Sequence, residues 1–242
     1  MPVLLLLLFS VALSVGIGIV AWAMRQRRRR EPVPVRTPAA DPACSFEQSC
    51  VFRRPGCWLA VRSRNVGAVQ AALGLHNPKP CSWLRALAGE EKLFIAPPVK
   101  GWIVVMGSGL PDPSEDVDAC FRFVVGLSRK LGQVQLFCAN RVLQHHAWVK
   151  ADAGRVVRAY AWAGRTLWQQ GPRTSAEHEL ELRTFNYFEG PDRVSFGQPD
   201  VFGANVEKVP LLAARWSLDP GHIDEGFLEH HRGIAGELSR RY

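Results

Sequence analysis

The stretch 144–169, QHHAWVKADAGRVVRAYAWAGRTLWQ, decides the fold. It reads as three strands, Gln144 to Ala151, Arg155 to Ala163 and Arg165 to Gln169, separated by Asp152-Ala153-Gly154 and Ala163-Gly164. Those separators are turn chemistry, and strands joined so tightly form an antiparallel meander. Alternation along the middle strand sends Arg158, Tyr160 and Trp162 to one face and Val157, Ala159 and Ala161 to the other. Trp148 and Trp168 share the large face in some registers and not in others. Two readings of that face follow. As a partner-binding surface its contact residues are Trp148, Arg158, Tyr160 and Trp162, because Trp, Tyr and Arg concentrate at interaction hot spots. As interior it packs beneath the next helix upstream, and this reading carries more weight because large side chains dominate cores too.

Upstream, Gly101–Met106 (GWIVVM) is a short apolar β-branched run, read as a buried strand. After the turn-rich Gly107–Pro113 comes a helix from Ser114 to Leu131, whose Val117, Cys120, Phe121, Val124, Leu127 and Leu131 fall on one face. Ser114 or Asp112 caps it, Glu115, Asp116 and Asp118 complement its positive end, and Gly132 stops it. The Gly107–Pro113 turn lacks the Lys-Ser/Thr ending of a phosphate loop and the three spaced glycines of a dinucleotide site, and the acidic first turn repels phosphate.

Earlier elements are a strand Trp58–Arg62, a helix Val66–Leu75 stopped by His76-Asn77-Pro78, a short helix Ser82–Ala88 and a strand Lys92–Ala96. Later ones are a strand Gln133–Cys138, a helix Thr174–Arg183 opened by a Thr174/Glu177 capping box, a loop Pro191–Asn205 and a helix Val206–Leu218 stopped by Asp219-Pro220. The tail 223–242 reads as a weak helix interrupted by Gly226, Gly233 and Gly236. Residues 55–222 are thus expected to form one α+β domain with a mainly antiparallel sheet packed by helices.

Residues 1–24 are apolar and uncharged and end in Arg25, Gln26, Arg27, Arg28, Arg29 and Arg30. The run is long enough for a single transmembrane helix contacting the bilayer through residues 2–24, with the arginines flanking it. By the positive-inside rule the body is then cytoplasmic, at the inner (plasma) membrane. A cleaved signal is the rival reading, since Ala21 and Ala23 make an A-x-A pattern, but no basic segment precedes the apolar run. Residues 25–54 are a basic, then proline-rich linker. The 242 residues carry a formal charge of +8, of which the five arginines leave about +3 for everything else. With no basic stripe or known motif, nucleic acid is not an expected partner.

Six cysteines, Cys44, Cys50, Cys57, Cys81, Cys120 and Cys138, span almost a hundred residues without zinc-type spacing, and cytoplasmic placement predicts free thiols. His145 and His146 lie on one strand and point to opposite faces, a poor chelate; His230 and His231 share that weakness. No H-E-x-x-H, G-x-S-x-G or S-x-x-K arrangement occurs, so no catalytic, cofactor-binding or metal residue is singled out.

The succession GWIVVMGSGLPDPSEDVDACFRF, LSRKLGQVQLF, GRVVRAYAWAG and LAARWSLDP covers about half the chain. It resembles uncharacterised bacterial membrane-anchored proteins and is similar in style to small immunity or interaction domains. The resemblance implies a bacterial inner-membrane setting and transfers no site residue. The expected function is a protein-interaction domain of immunity or scaffolding type with a protein partner. The alternative is a hydrolase-like enzyme using His145 or His146 with an acidic residue brought near by folding.

Overall fold

A computed structural model describes residues 55–89, 91–188 and 201–238. Nine strands among them form one sheet: β1 (Cys57–Val61), β2 (Leu75–Cys81), β3 (Leu93–Ile95), β4 (Ile103–Met106), β5 (Val134–Asn140), β6 (His145–Asp152), β7 (Arg155–Trp162), β8 (Thr166–Gln170) and β9 (Gly233–Leu238). Their spatial order is β2-β9-β3-β4-β1-β5-β6-β7-β8, and every neighbouring pair is antiparallel. The helices are α1 (Val66–Leu73), α2 (Trp83–Leu87), α3 (Val117–Leu131), α4 (Ser175–Glu179), α5 (Val201–Trp216) and α6 (Glu225–His230).

Helices cover both faces, so alternation along the central strands separates two cores rather than a core and a wet side. Leu59, Val61, Leu136, Val149, Ala159 and Ala161 meet α1 and α3 on one face. Trp58, Phe137, Trp148, Tyr160 and Trp162 meet α5, through Val209, Leu212 and Ala213, on the other. The division follows side-chain volume. Alanines at 147, 151, 159 and 161 leave room for Phe123, Val124 and Leu127 of α3, while the aromatic face takes α5. The expected packing of the aromatic face beneath the 114–131 helix is therefore corrected, because that helix lies on the alanine face. Trp168 also departs from the aromatic face. It pairs directly with Ala161, which puts it on the alanine side, where it meets Phe121 with ring centroids 6.0 Å apart, and the register slips only beyond it, before Trp162/Thr166.

α3 is capped by Asp116, whose side chain accepts from Ala119 N, rather than by Ser114 or Asp112. The Thr174/Glu177 capping box forms as expected. α5 begins at Val201, five residues before the expected start, and carries Pro210 within it. Two strands were not foreseen. β2 carries Pro78 and Pro80, which a sheet tolerates at its edge, and it stands at one. β9 lies in the tail read as a weak helix. Its glycines serve close approach: a Cβ at Gly233 would sit 2.3 Å from Ile95 O, and one at Gly236 2.4 Å from His76 O.

A fold opening with a single transmembrane helix is corrected as well. Among the described residues no helix is long and apolar enough to cross a membrane. The longest, α3 and α5 at 15 and 16 residues, are too short at 1.5 Å per residue and carry charged side chains such as Arg122, Lys130, Glu207 and Arg215. Residues 1–24, the flanking Arg25, Arg27, Arg28, Arg29 and Arg30, and the linker to residue 54 lie outside the described residues.

Candidate functional site

Two groups of residues among the described ones bear on function, a buried ion pair and a surface cleft. The first occupies the face between the β6–β8 strands and α4. Arg158, 1 % exposed, points inward from β7 and meets Glu177, which is fully buried in α4. Arg158 Nε donates to Glu177 Oε1 and Oε2 at 2.9 and 3.1 Å, and one terminal nitrogen donates to Oε1 at 2.8 Å. The other terminal nitrogen donates to the carbonyls of Ala159, Gln170 and Gly171. Trp148 Nε1 donates to Glu177 Oε1 at 2.8 Å, and Thr174 N and Oγ1 donate to Oε2 at 2.8 and 2.9 Å. Burial opposes ionisation of Glu177, but these donors outweigh it and hold the carboxyl below its ordinary range. A buried ion pair so fully hydrogen-bonded is a structural post.

This placement bears on every residue put forward as a partner contact. Trp148, Arg158, Tyr160 and Trp162 are all buried. The Tyr160 hydroxyl accepts from Phe185 N at 3.2 Å, and Trp162 packs on Phe185. The structure brings the four together as interior, and none offers a face to a partner.

The second is a cleft of about 560 Å³ at the end of the sheet where β1 begins and β5 ends. Cys57 and Cys138, directly opposite on β1 and β5 with Cα atoms 4.1 Å apart, form a disulfide in its wall. The expectation of free thiols is corrected at these two positions. Sequence spacing concealed the pair, because strand pairing closes a separation of 81 residues. Cys81 and Cys120 stay outside any disulfide and are buried, while Cys44 and Cys50 lie outside the described residues. Burial, with a smaller contribution from Asp112 and Asp116, pushes the Cys120 thiol up to about 12, leaving it inert.

Asp112 and Glu115, just before α3, and Arg141 and His145, from the β5–β6 hairpin, line the cleft, and Arg141 is ion-paired with Glu207 at 2.6 Å. Asp112 is held in a turn by accepting from Ser114 N at 2.8 Å. One ligand atom from each of Cys57, Asp112 and Cys138 lies within 4.8 Å of the others, so these three residues can converge on one metal ion. The β5–β6 turn stands beside the cleft. Asn140 Oδ1 accepts from Val142 N and Leu143 N at 3.1 and 3.0 Å, and the hydrogen-bonded turn leaves Val142 91 % and Leu143 58 % exposed.

The two histidines differ in role. His146 is buried, with Nδ1 3.2 Å from Gln144 O and Nε2 3.2 Å from Asn205 Nδ2. The neutral ring satisfies both, donating from Nδ1 and accepting at Nε2. Burial lowers its pKa to about 4, the hydrogen bond to Gln144 opposes that shift, and His145 adds slightly to it. Both ring nitrogens are thus occupied by structural partners. His145 borders the cleft. His146, held by Gln144 and Asn205, is thus set as a structural rather than a proton-transferring group. Comparison with known proteins returns no matching family model, no matching curated protein and no matching solved structure.

Proposed function

We propose that the domain is a protein-interaction module that takes a polypeptide segment at the cleft, with the β5–β6 turn as its apolar contact. The observation that carries this reading is the exposure of Val142 and Leu143 on a turn fixed by Asn140, beside a cleft lined by Arg141 and His145. Exposed apolar side chains on an ordered turn contribute to binding with little ordering entropy left to lose. The cleft adds the carboxylates of Asp112 and Glu115, which favour a segment carrying basic side chains. The Cys57–Cys138 disulfide supports an oxidising compartment over the cytoplasmic placement read from the arginines.

Selection of a random peptide library on the purified chain tests the proposal. The expected result is a convergent peptide family whose affinity falls at least tenfold for Val142→Asp with Leu143→Asp, with thermal stability unchanged. No convergence, or binding indifferent to that double substitution, refutes it.

A further inference from the structure

We infer that Cys57, Cys138 and Asp112 form a redox-gated site for a thiophilic divalent cation of the zinc type, closed when the cysteines are joined and opened by a dithiol reductant. The inference does not depend on peptide binding at the cleft. It rests on one juxtaposition: two opposed cysteines on β1 and β5 and a carboxylate from the turn before α3 place three ligand atoms within 4.8 Å of one another.

The chemistry of the set selects the ion. Thiolate and carboxylate together suit zinc, whereas all-oxygen sites suit magnesium and calcium. With zinc–sulfur bonds of about 2.3 Å, tetrahedral ligation needs the sulfurs about 3.8 Å apart. Zinc binds thiolate sulfur and a disulfide has none to offer, so the Cys57–Cys138 bond is reduced before the ion enters. The cysteines face each other across neighbouring strands, and side-chain rotation achieves the opening without separating the strands. Asp112 uses Oδ1 to accept from Ser114 N, which orients its carboxylate in the way a ligand's supporting hydrogen bond does.

The steps balance. A reductant R(SH)2 transfers two electrons and two protons to the Cys57–Cys138 bond, giving two thiols and the oxidised R(S–S). Binding M²⁺ then releases the two thiol protons to solvent and leaves two thiolates and one carboxylate around the ion. That set carries a net charge of −1. The fourth position of a tetrahedral ion with three protein ligands is taken by water, the open arrangement of exchangeable and catalytic zinc rather than structural zinc.

The test uses the purified full-length chain with cobalt(II) as a spectroscopic stand-in for zinc, before and after treatment with a dithiol reductant. The background is Cys57→Ser with Cys138→Ser, which retains the other four cysteines. The reduced chain is expected to bind one more cobalt per molecule than this background, with a thiolate-to-cobalt charge-transfer band. The oxidised chain is expected to match the background, and Asp112→Asn to weaken binding at least tenfold. A second measurement needs no variant: zinc should protect Cys57 and Cys138 of the reduced chain from alkylation, read by peptide mass spectrometry. Cobalt binding no greater than background, no zinc protection, or full affinity in Asp112→Asn overturns the inference. So does loss of the folded tryptophan signature on reduction that zinc fails to restore.

Discussion

Glu177→Gln is the substitution that most directly tests the buried post. It changes almost no volume and removes one charge. The carboxylate accepts from Arg158, Trp148 and Thr174, and both of its oxygens are used. A glutamine supplies one oxygen, so its amide N–H groups face either the Arg158 and Trp148 donors or the Thr174 backbone N–H. Arg158 meanwhile stays charged, 1 % exposed and without its counter-ion. Breaking a buried pair by removing one partner costs about 3–5 kcal/mol. For a domain of this size that lowers the melting temperature by about 6–20 °C, at about 2–4 °C per kcal/mol. Urea unfolding followed by tryptophan fluorescence measures it. Replacing both partners with apolar residues, Arg158→Met with Glu177→Leu, should cost less than Glu177→Gln alone, because no buried charge is stranded. The pH dependence adds a check on sign. Glu177 titrates below its ordinary value of 4.5, so its contribution is complete above that value and is lost as pH falls through the folded-state value. The gap between native and variant proteins should therefore close in acid. A loss under about 1 kcal/mol, or a gap that widens in acid, would refute the reasoning.

His146 predicts a second acid sensitivity. Its pKa falls from 6.5 to about 4 on folding, so unfolded chains bind the proton first and stability declines as pH drops from 6.5 to about 4. The loss is about 3 kcal/mol, and His146→Gln should flatten stability against pH across that window. Gly233→Ala should destabilise by about 1–3 kcal/mol or more, measured by urea unfolding, because its methyl group meets Ile95 O and the Phe94 ring. A silent substitution would mean that β9 does not run between β2 and β3. Cys57→Ser should cost about 2–4 kcal/mol and make the melting temperature insensitive to reductant, whereas the native protein's should fall when reduced.

The elements that could be read from sequence are those whose pattern is local. β6, β7 and β8 follow from alternation and two glycine turns, and α3 from a single apolar stripe ended by Gly132. β2 and β9 resist because their residues break local rules for reasons found elsewhere in the sheet. Pro78 and Pro80 are acceptable because β2 is an edge, and Gly233 and Gly236 are required because neighbouring strands come close. The cleft was not legible for a similar reason. Cys57, Asp112 and Cys138 sit far apart in the chain and meet only through strand order, while Val142 and Leu143 fall in the connection between two strands, where apolar residues give no local sign of how exposed they are.

The buried post was half legible. The Thr174/Glu177 capping box is visible in the sequence, yet a capping glutamate ordinarily sits in solvent at a helix start. Arg158 is equally visible, set among aromatics in an alternating strand, and a charged residue there suggests an exposed face. Burial of a guanidinium is tolerated only with a carboxylate and enough carbonyls to use its donors. An arginine in an aromatic strand face therefore poses a definite question, namely which acid follows it inside. Glu177 answers it because β8 returns the chain beside β7 and α4 begins directly afterwards, which sets the capping carboxylate over Arg158. The box that orders α4 also neutralises the sheet's buried cation, and the aromatic face becomes core rather than docking surface.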